Sequence, residues 1–403
     1  MVLGGIREKN EMINRLEYVL KHNQYVQKIY VFIFSALFKL FSTFVKKKPK
    51  QILFQSLIGR SFGDSPKVLF DRISSDPFFK DYEYIWAFKN PKDFRNCNAK
   101  VVSLNSFNYF IKAIESGIWI CNVNIERGLK FKPKDTIFIN TSHGGQLKVD
   151  GNAQKNRKDY DYSDVDLYCS ISKSDELINI RDLNVRPDAS VICGLPRDDE
   201  LYHVDKKRVS ILREKYNIPN GKKIILYAPT WRDSYDKGDS YFLKPPINQD
   251  LWEKELGTQY IILFRAHHLT TKTMGIVFND VFKDVSSIQN INDLLILADI
   301  LITDYSSIAF DFSILEKPII SFAYDYEEYK KDRGLYYDLD KMYPGALFYN
   351  ENDLLNHIKS INELVEQEKT KKLKTKFVQG KGEATEICID YLKKEILKRS
   401  KEL

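Results

Sequence analysis

Four short stretches place chemistry-bearing side chains directly after apolar runs. The first is Asn140-Thr141-Ser142-His143-Gly144-Gly145-Gln146-Leu147-Lys148. A histidine there can act as a general base near neutral pH. The paired glycines let backbone approach a ligand, and Lys148 can hold a phosphate as a point charge. The second is Ile262-Leu263-Phe264-Arg265-Ala266-His267. Arg265 and His267 stand two apart at a strand end and so point to one side; a guanidinium beside an imidazole suits a pyrophosphate oxygen. The third, Leu226-Tyr227-Ala228-Pro229-Thr230-Trp231-Arg232, offers Thr230 and Arg232 to a phosphate or a base. The fourth is Leu301-Ile302-Thr303-Asp304-Tyr305-Ser306-Ser307, with Asp311 in the helical pattern that follows. Hydroxyls and a carboxylate there open a helix just past a strand, where open α/β sheets bind ligands and helix N–H groups meet anions.

Each stretch also has a plain structural use. Asp304 or Ser306 could be an ordinary helix cap, the glycine pair a turn, and Arg265 with His267 an edge-of-sheet basic pair. Repetition separates the readings. Four polar knots at strand ends, split between two halves of the chain, describe one cleft for an anionic nucleotide.

The elements that must position these residues alternate. Strand-like runs at 51–57, 82–88, 118–123, 136–140, 165–171 and 191–194 are interleaved with helical patterns at 66–75 and 106–115. Residues 201–221 read as a charged helix closed by Pro219-Asn220-Gly221, a turn signal. Alternation then restarts, with strands at 223–228, 260–265, 285–287, 300–303 and 319–322, and a final helix at 383–399. This is an α/β chain of two Rossmann-like domains facing a cleft. The division is residues 1–50 as a helical segment, 51–200 as one Rossmann-like unit and 201–403 as the other. Neither half carries GxGxxG or GxxxxGK[ST], which weighs against a nicotinamide dehydrogenase or a P-loop kinase.

Hydrophobic content of 43% and charged content of 29% are those of a soluble globular protein. The five cysteines are scattered, as reduced core residues of a cytosolic setting would be. No Cys/His cluster stands at zinc spacing. The net charge of +7 is unevenly spread: no acidic residue lies between Glu17 and Asp64, where Lys21, Lys28, Lys39, Lys46, Lys47, Lys48 and Lys50 fall. Residues 5–24 have helical spacing and lead into an apolar run at 29–45, which Lys39 interrupts. That run is shorter than the roughly 20 residues a spanning helix needs. It starts late and lacks a small-residue cleavage site, so a signal peptide is not expected. An apolar helix flanked by lysines suits docking on an anionic membrane surface. Nucleic acid is not expected as a partner, since no recognition module accompanies the basic residues.

Several of these stretches resemble one family. Leu226-Tyr227-Ala228-Pro229-Thr230-Trp231-Arg232-Asp233 is similar to the LYAPTWRD of the CDP-glycerol glycerophosphotransferases, the teichoic-acid primases and polymerases. Leu301 to Ser307 with Phe310-Asp311 resembles their LITDYSSxxFD, and Gly194-Leu195-Pro196-Arg197-Asp198-Asp199 their GxPRND. Residues 142–148 match HGTPLK in His, Gly, Leu and Lys; Arg265-Ala266-His267 matches RxH. Asp64-Ser65-Pro66-Lys67 resembles part of an early GxxYSDNPK, and Tyr324-Asp325, Tyr329, Arg333-Gly334 and Pro344-Gly345 a YAYDxxxY…RGxY…PG run. Gly145-Gln146 stands where the family has Thr-Pro, and Ser142 where a Trp is common. These departures touch acceptor identity.

The resemblance implies a GT-B fold attached peripherally, as a monotopic protein, to the cytoplasmic face of the membrane. It implies transfer of a polyol phosphate from CDP-glycerol or CDP-ribitol to a hydroxyl of a lipid-linked glycan or growing polymer, with release of CMP. Teichoic-acid or capsule-type polymers are the setting. His143 would be the base; His267 and Arg265 would steady the pyrophosphate; Thr230, Ser306, Ser307 and Asp311 would line the CDP pocket. Gly144, Lys148, Arg197, Arg232 and Asp304 join the substrate-binding candidates. No metal site or cofactor is expected, although Mg²⁺ stays open as a further source of positive charge. Two alternatives remain: a GT-B nucleotide-sugar glycosyltransferase of surface polysaccharide synthesis, and a membrane-bound glycan-binding protein that does no chemistry.

Overall fold

The computed structural model describes residues 24–94, 97–155, 160–230, 242–243, 246–266, 272–273 and 275–402. Its first sheet holds β1 (Lys48–Gln55), β2 (Glu83–Phe88), β3 (Lys100–Ser103), β4 (Ser116–Cys121), β5 (Ile137–Asn140), β6 (Leu167–Ser170) and β7 (Ser190–Ile192). All pair in parallel, in the order β3-β2-β1-β4-β5-β6-β7. Strands β4, β5 and β6 are buried along their whole length. That explains their unbroken apolar character, since a parallel sheet is covered on both faces.

The second sheet repeats the plan. It contains β8 (Lys223–Ala228), β10 (Tyr260–Phe264), β12 (Phe282–Asp284), β13 (Ile300–Thr303), β14 (Ile319–Phe322) and β15 (Leu347–Phe348), ordered β12-β10-β8-β13-β14-β15. Two short strands, β9 (Phe242–Leu243) and β11 (Lys272–Thr273), pair separately. Both large sheets are doubly wound, so strand order reverses between β1 and β4 in one and between β8 and β13 in the other. Ligands of such sheets sit outside the strands' carboxyl ends at these reversals.

One apolar cluster runs across both sheets, joining Leu147, Ile171 and Leu195 to Phe310 and Phe377. The final helix, Ala384–Glu402, belongs by sequence position to the second unit but packs on the first. Cys388, Ile389 and Leu392 are buried in its face, Tyr391 Oη donates to Asp166 O at 3.0 Å, and Arg399 Nη1 donates to Asp135 O at 2.7 Å.

Two sequence readings need correction. The short strand expected at 285–287 lies at Phe282–Asp284, where Val285 to Ser287 instead form the turn that follows it. The first strand, expected at 51–57, runs instead over Lys48–Gln55. The apparent run of free lysines is partly absorbed by the fold: Lys47 Nζ donates to Ile114 O, Ser116 O and Thr136 Oγ1, and burial lowers its pKa to about 8. Lys48 and Lys50 pair with Glu115 and Asp81.

The helix Gln24–Ser42 packs on the helix Phe107–Glu115 and on the loop at Lys130–Phe131. Phe38 stacks on Phe110 with ring centroids 4.4 Å apart, Phe41 meets Phe107, and Ser35 Oγ accepts the Lys130 N–H at 2.9 Å. Its opposite face is bare, with Phe32 75%, Leu37 54% and Leu40 61% exposed. The helical pattern at residues 5–24 falls almost wholly outside the described residues.

Candidate active site

The loop after β5 is locked in place except for one side chain. Asn140 Oδ1 accepts the Ser142 N–H at 2.9 Å, while its Nδ2 donates to Val123 O at 2.8 Å. Ser142 adopts the left-handed conformation, φ 55°, which a serine holds only when its surroundings dictate it. The Gln146 N–H donates to buried Asp175 at 2.9 Å. Burial raises Asp175 to about 6 against the hydrogen bonds it accepts. Downstream, Val149 N donates to Gly334 O at 3.1 Å and Tyr336 N to Leu147 O at 3.0 Å. Lys148 bridges Leu335 in the same antiparallel patch. Of residues 141–147, all are buried except His143.

His143 is thus open to solvent yet walled by protein on several sides, as a group at the mouth of a crevice is. The surrounding protein desolvates the imidazole and pushes it below the usual value of 6.5. Arg197 and Lys148 act in the same direction; Asp150 and Asp64 oppose them. A neutral imidazole near pH 7 is the form that can accept a proton.

The second sheet presents its own polar edge directly against this loop. A Cβ on Gly144 would lie 2.8 Å from Ser307 Oγ, and φ at Gly144 is +152°. A Cβ on Gly145 would meet Ile171 Cδ1 at 2.2 Å and Phe310 Cδ2 at 2.8 Å. The paired glycines therefore permit the His143 loop to abut the start of the helix Ile308–Ser313. Ser306 and Ser307, which lead into it, are partly exposed. Asp304 is buried and accepts the N–H groups of Thr230 (2.8 Å) and Tyr305 (2.6 Å). Tyr305 stacks on Tyr329 at 3.8 Å and donates its hydroxyl to Asp325 at 2.7 Å.

Arg197 joins the halves. Its Nη1 donates to Asp64 at 2.7 Å and to the His143 carbonyl at 3.1 Å; its Nη2 donates to Asp311 at 2.7 Å. Its Nε is 3.3 Å from Asp198. Arg197, Asp198 and Asp311 are buried. Burial, together with Asp311, pushes the Asp198 carboxyl well up, while the surrounding carboxylates hold the guanidinium charged. Asp64 is absent from the sequence-based site candidates, although the motif Asp64-Ser65-Pro66-Lys67 marks it.

Arg265 is anchored on the turn after β12. Its Nη1 donates to Val285 O at 3.2 Å and Ile288 O at 2.7 Å, and burial lowers its pKa. Arg232 and His267 lie outside the described residues. Among the described residues, no group of three His, Cys, Asp or Glu side chains is arranged to hold a metal ion.

Two doubly wound parallel sheets, with an exposed histidine on one polar strand-end loop and a partly exposed serine pair on the other, define an α/β protein whose polar strand ends meet. The chain belongs to the CDP-Glycerol:Poly(glycerophosphate) glycerophosphotransferase family, whose model matches residues 37–388. It is 32% identical to a teichoic acid poly(glycerol phosphate) polymerase of Staphylococcus epidermidis over 87% of this chain and 51% of that one. It is 31% identical to a teichoic acid glycerol-phosphate transferase of Staphylococcus aureus over 81% of this chain and 87% of that one. The chain thus spans about half the length of the Staphylococcus epidermidis relative. The solved wall teichoic acid polymerase TagF superposes with a TM-score of 0.80 at 29% identity, covering 96% of this chain and 99% of that one.

Proposed function

We propose that this chain transfers a polyol phosphate from a CDP-polyol, glycerol or ribitol, to a hydroxyl of a lipid-linked glycan or growing polyol-phosphate polymer. The observation that carries the reading is His143: the one exposed side chain of the buried 141–147 loop, whose next residue, Gly144, abuts Ser307. Family membership and the likeness to TagF, which has also been examined after soaking with CDPG, support the donor class.

In this reading the two sheets are the Rossmann-like domains of a GT-B enzyme and the reaction occurs in the cleft between them. His143 takes the proton of the acceptor hydroxyl as its oxygen attacks the β-phosphorus. The new P–O bond forms as the bond from the β-phosphorus to the bridging oxygen breaks, and CMP leaves with that oxygen. Thr230, Ser306, Ser307 and Lys148 hold the diphosphate side, and the acceptor approaches through the first sheet's strand-end loops. Fixing the two reactants in line supplies much of the rate gain in such transfers. His267, Arg232 and Arg265 join the donor site on the family resemblance.

The exposed apolar face of helix Gln24–Ser42, flanked by exposed Lys28, Lys39 and Lys46, supports peripheral docking on the anionic cytoplasmic face of the membrane. By length and composition alone the helix could also span, with a mean hydropathy of 1.2 over Tyr25–Ser42. Its packing through Phe38 and Phe41 favours lying flat. Nucleotide release with CDP-glycerol, CDP-ribitol and UDP-sugars as competing donors tests the function. CMP from a CDP-polyol is the expected product; turnover of UDP-sugars alone would overturn the assignment in favour of a glycosyltransferase.

A further inference from the structure

Arg197 occupies a place that a phosphate-binding arginine would suit, at a strand end beside the candidate base. Its surroundings argue for another role. Four N–H directions of the guanidinium already have acceptors: Asp64, the His143 carbonyl, Asp311 and Asp198. The residue is 8% exposed. The carboxyl groups of Asp64, Asp198 and Asp311 already occupy these N–H directions, which leaves an anionic donor little of the fork to bind. Its backbone is fixed as well: the N–H donates to Ser65 Oγ at 3.2 Å, and the carbonyl accepts from Asn292 Nδ2 at 2.5 Å.

We propose that Arg197, held by Asp311 and Asp64, is a positioning residue that fixes the His143–Gly144 backbone, with Gly144 against Ser307, without touching the donor. The proposal rests on His143 being the base of the reaction above. The geometry is specific. Asp64 opens the helix after β1, His143 follows β5, Arg197 follows β7, and Asp311 lies on the helix after β13 of the other sheet. One planar fork therefore ties three strand ends of the first sheet to the second sheet. Its bond to the loop goes to the carbonyl of the histidine itself. Charge-assisted bonds of this kind are short and directional, and a fork cannot be replaced by a point charge. Asp311, expected from the family resemblance to line the CDP pocket, is thereby reassigned as the partner of Arg197.

The test uses the full chain and three variants: Asp311→Asn, Asp64→Asn and Arg197→Lys. CMP release from CDP-glycerol gives kcat, calorimetric titration with CDP gives donor-side affinity, and thermal melting confirms folding. Arg197→Lys and Asp311→Asn are expected to lose about 10- to 100-fold in kcat, since an ångström of misplacement costs rates of that order. The Kd for CDP stays within about two-fold. A Kd raised about ten-fold or more with kcat unchanged would make these residues donor ligands and overturn the proposal; so would unchanged values of both. A crystal structure of Asp311→Asn gives a readout independent of turnover. The 142–145 backbone is expected to withdraw from Ser307, and a loop still in place overturns the proposal. Wild-type protein that releases no CMP counts against the function reading alone, and the structural comparison then decides this one.

Discussion

The Asp304 carboxylate accepts the Thr230 N–H at 2.8 Å, tying together the ends of β8 and β13, the neighbouring strands between which the order of the second sheet reverses. The same oxygen accepts the Tyr305 N–H. One buried side chain thus sets the spacing between Thr230 and the Ser306–Ser307 pair. Two backbone N–H groups from neighbouring strand ends converge on one buried carboxylate.

Replacing Asp304 with alanine leaves two buried N–H groups without this acceptor. The expected cost is about 2–5 kcal/mol, from the penalty for each orphaned buried group. Asp304→Asn keeps an acceptor oxygen and loses about 1 kcal/mol. Urea unfolding checks both; equal stability of the alanine variant and wild type would contradict the role.

Gly145 and Gln146 stand where the related motif carries Thr-Pro, and the structure accounts for both. A side chain at 145 would strike Ile171 and Phe310. Proline at 146 would remove the N–H that Asp175 accepts. Gly145→Thr should destabilise the fold by about 1–3 kcal/mol through overpacking, and Gln146→Pro should slow turnover by loosening the His143 loop. Melting curves and CMP release measure the two effects. A Thr-Pro double variant as stable and active as wild type would show that the loop re-forms around the family's sequence.

The pH profile follows from the lowered imidazole of His143. The base must be neutral, and the neutral form prevails above its pKa. Activity should therefore hold as pH falls past 6.5 and be lost only below it. An acid limb of kcat/KM centred above 6.5 would contradict this placement.

Much of this was legible in sequence because parallel strands announce themselves. The runs at 223–228, 300–303 and 319–322 coincide with β8, β13 and β14, each a largely apolar run buried through its length or nearly so. Short edge strands are harder: β3, Lys-Val-Val-Ser, has no apolar run to mark it. The Arg197–Asp311 contact is invisible for a different reason. Its partners are 114 residues apart, and nothing local distinguishes a buried arginine from a phosphate ligand. Lys47 misleads in the same way, since its carbonyl partners lie beyond residue 110.

The membrane reading is best tested by substitution. Deleting residues through 48 would cut into β1 and remove the bonds of Lys47. Phe32, Leu37 and Leu40 are exposed, so changing all three to serine should spare the fold. The triple variant should bind anionic vesicles about ten-fold or more weakly, from the apolar area removed. Unchanged co-sedimentation would place the docking surface elsewhere.

The central claim is that His143 is the base for transfer from a CDP-polyol. The direct measurement compares wild type with His143→Ala for CMP release from CDP-glycerol in the presence of a lipid-linked acceptor, with CDP affinity determined alongside. The variant should lose about 10²- to 10⁴-fold in rate, the usual worth of a positioned general base, with CDP bound as before. Equal rates in the two proteins would remove His143 from the mechanism.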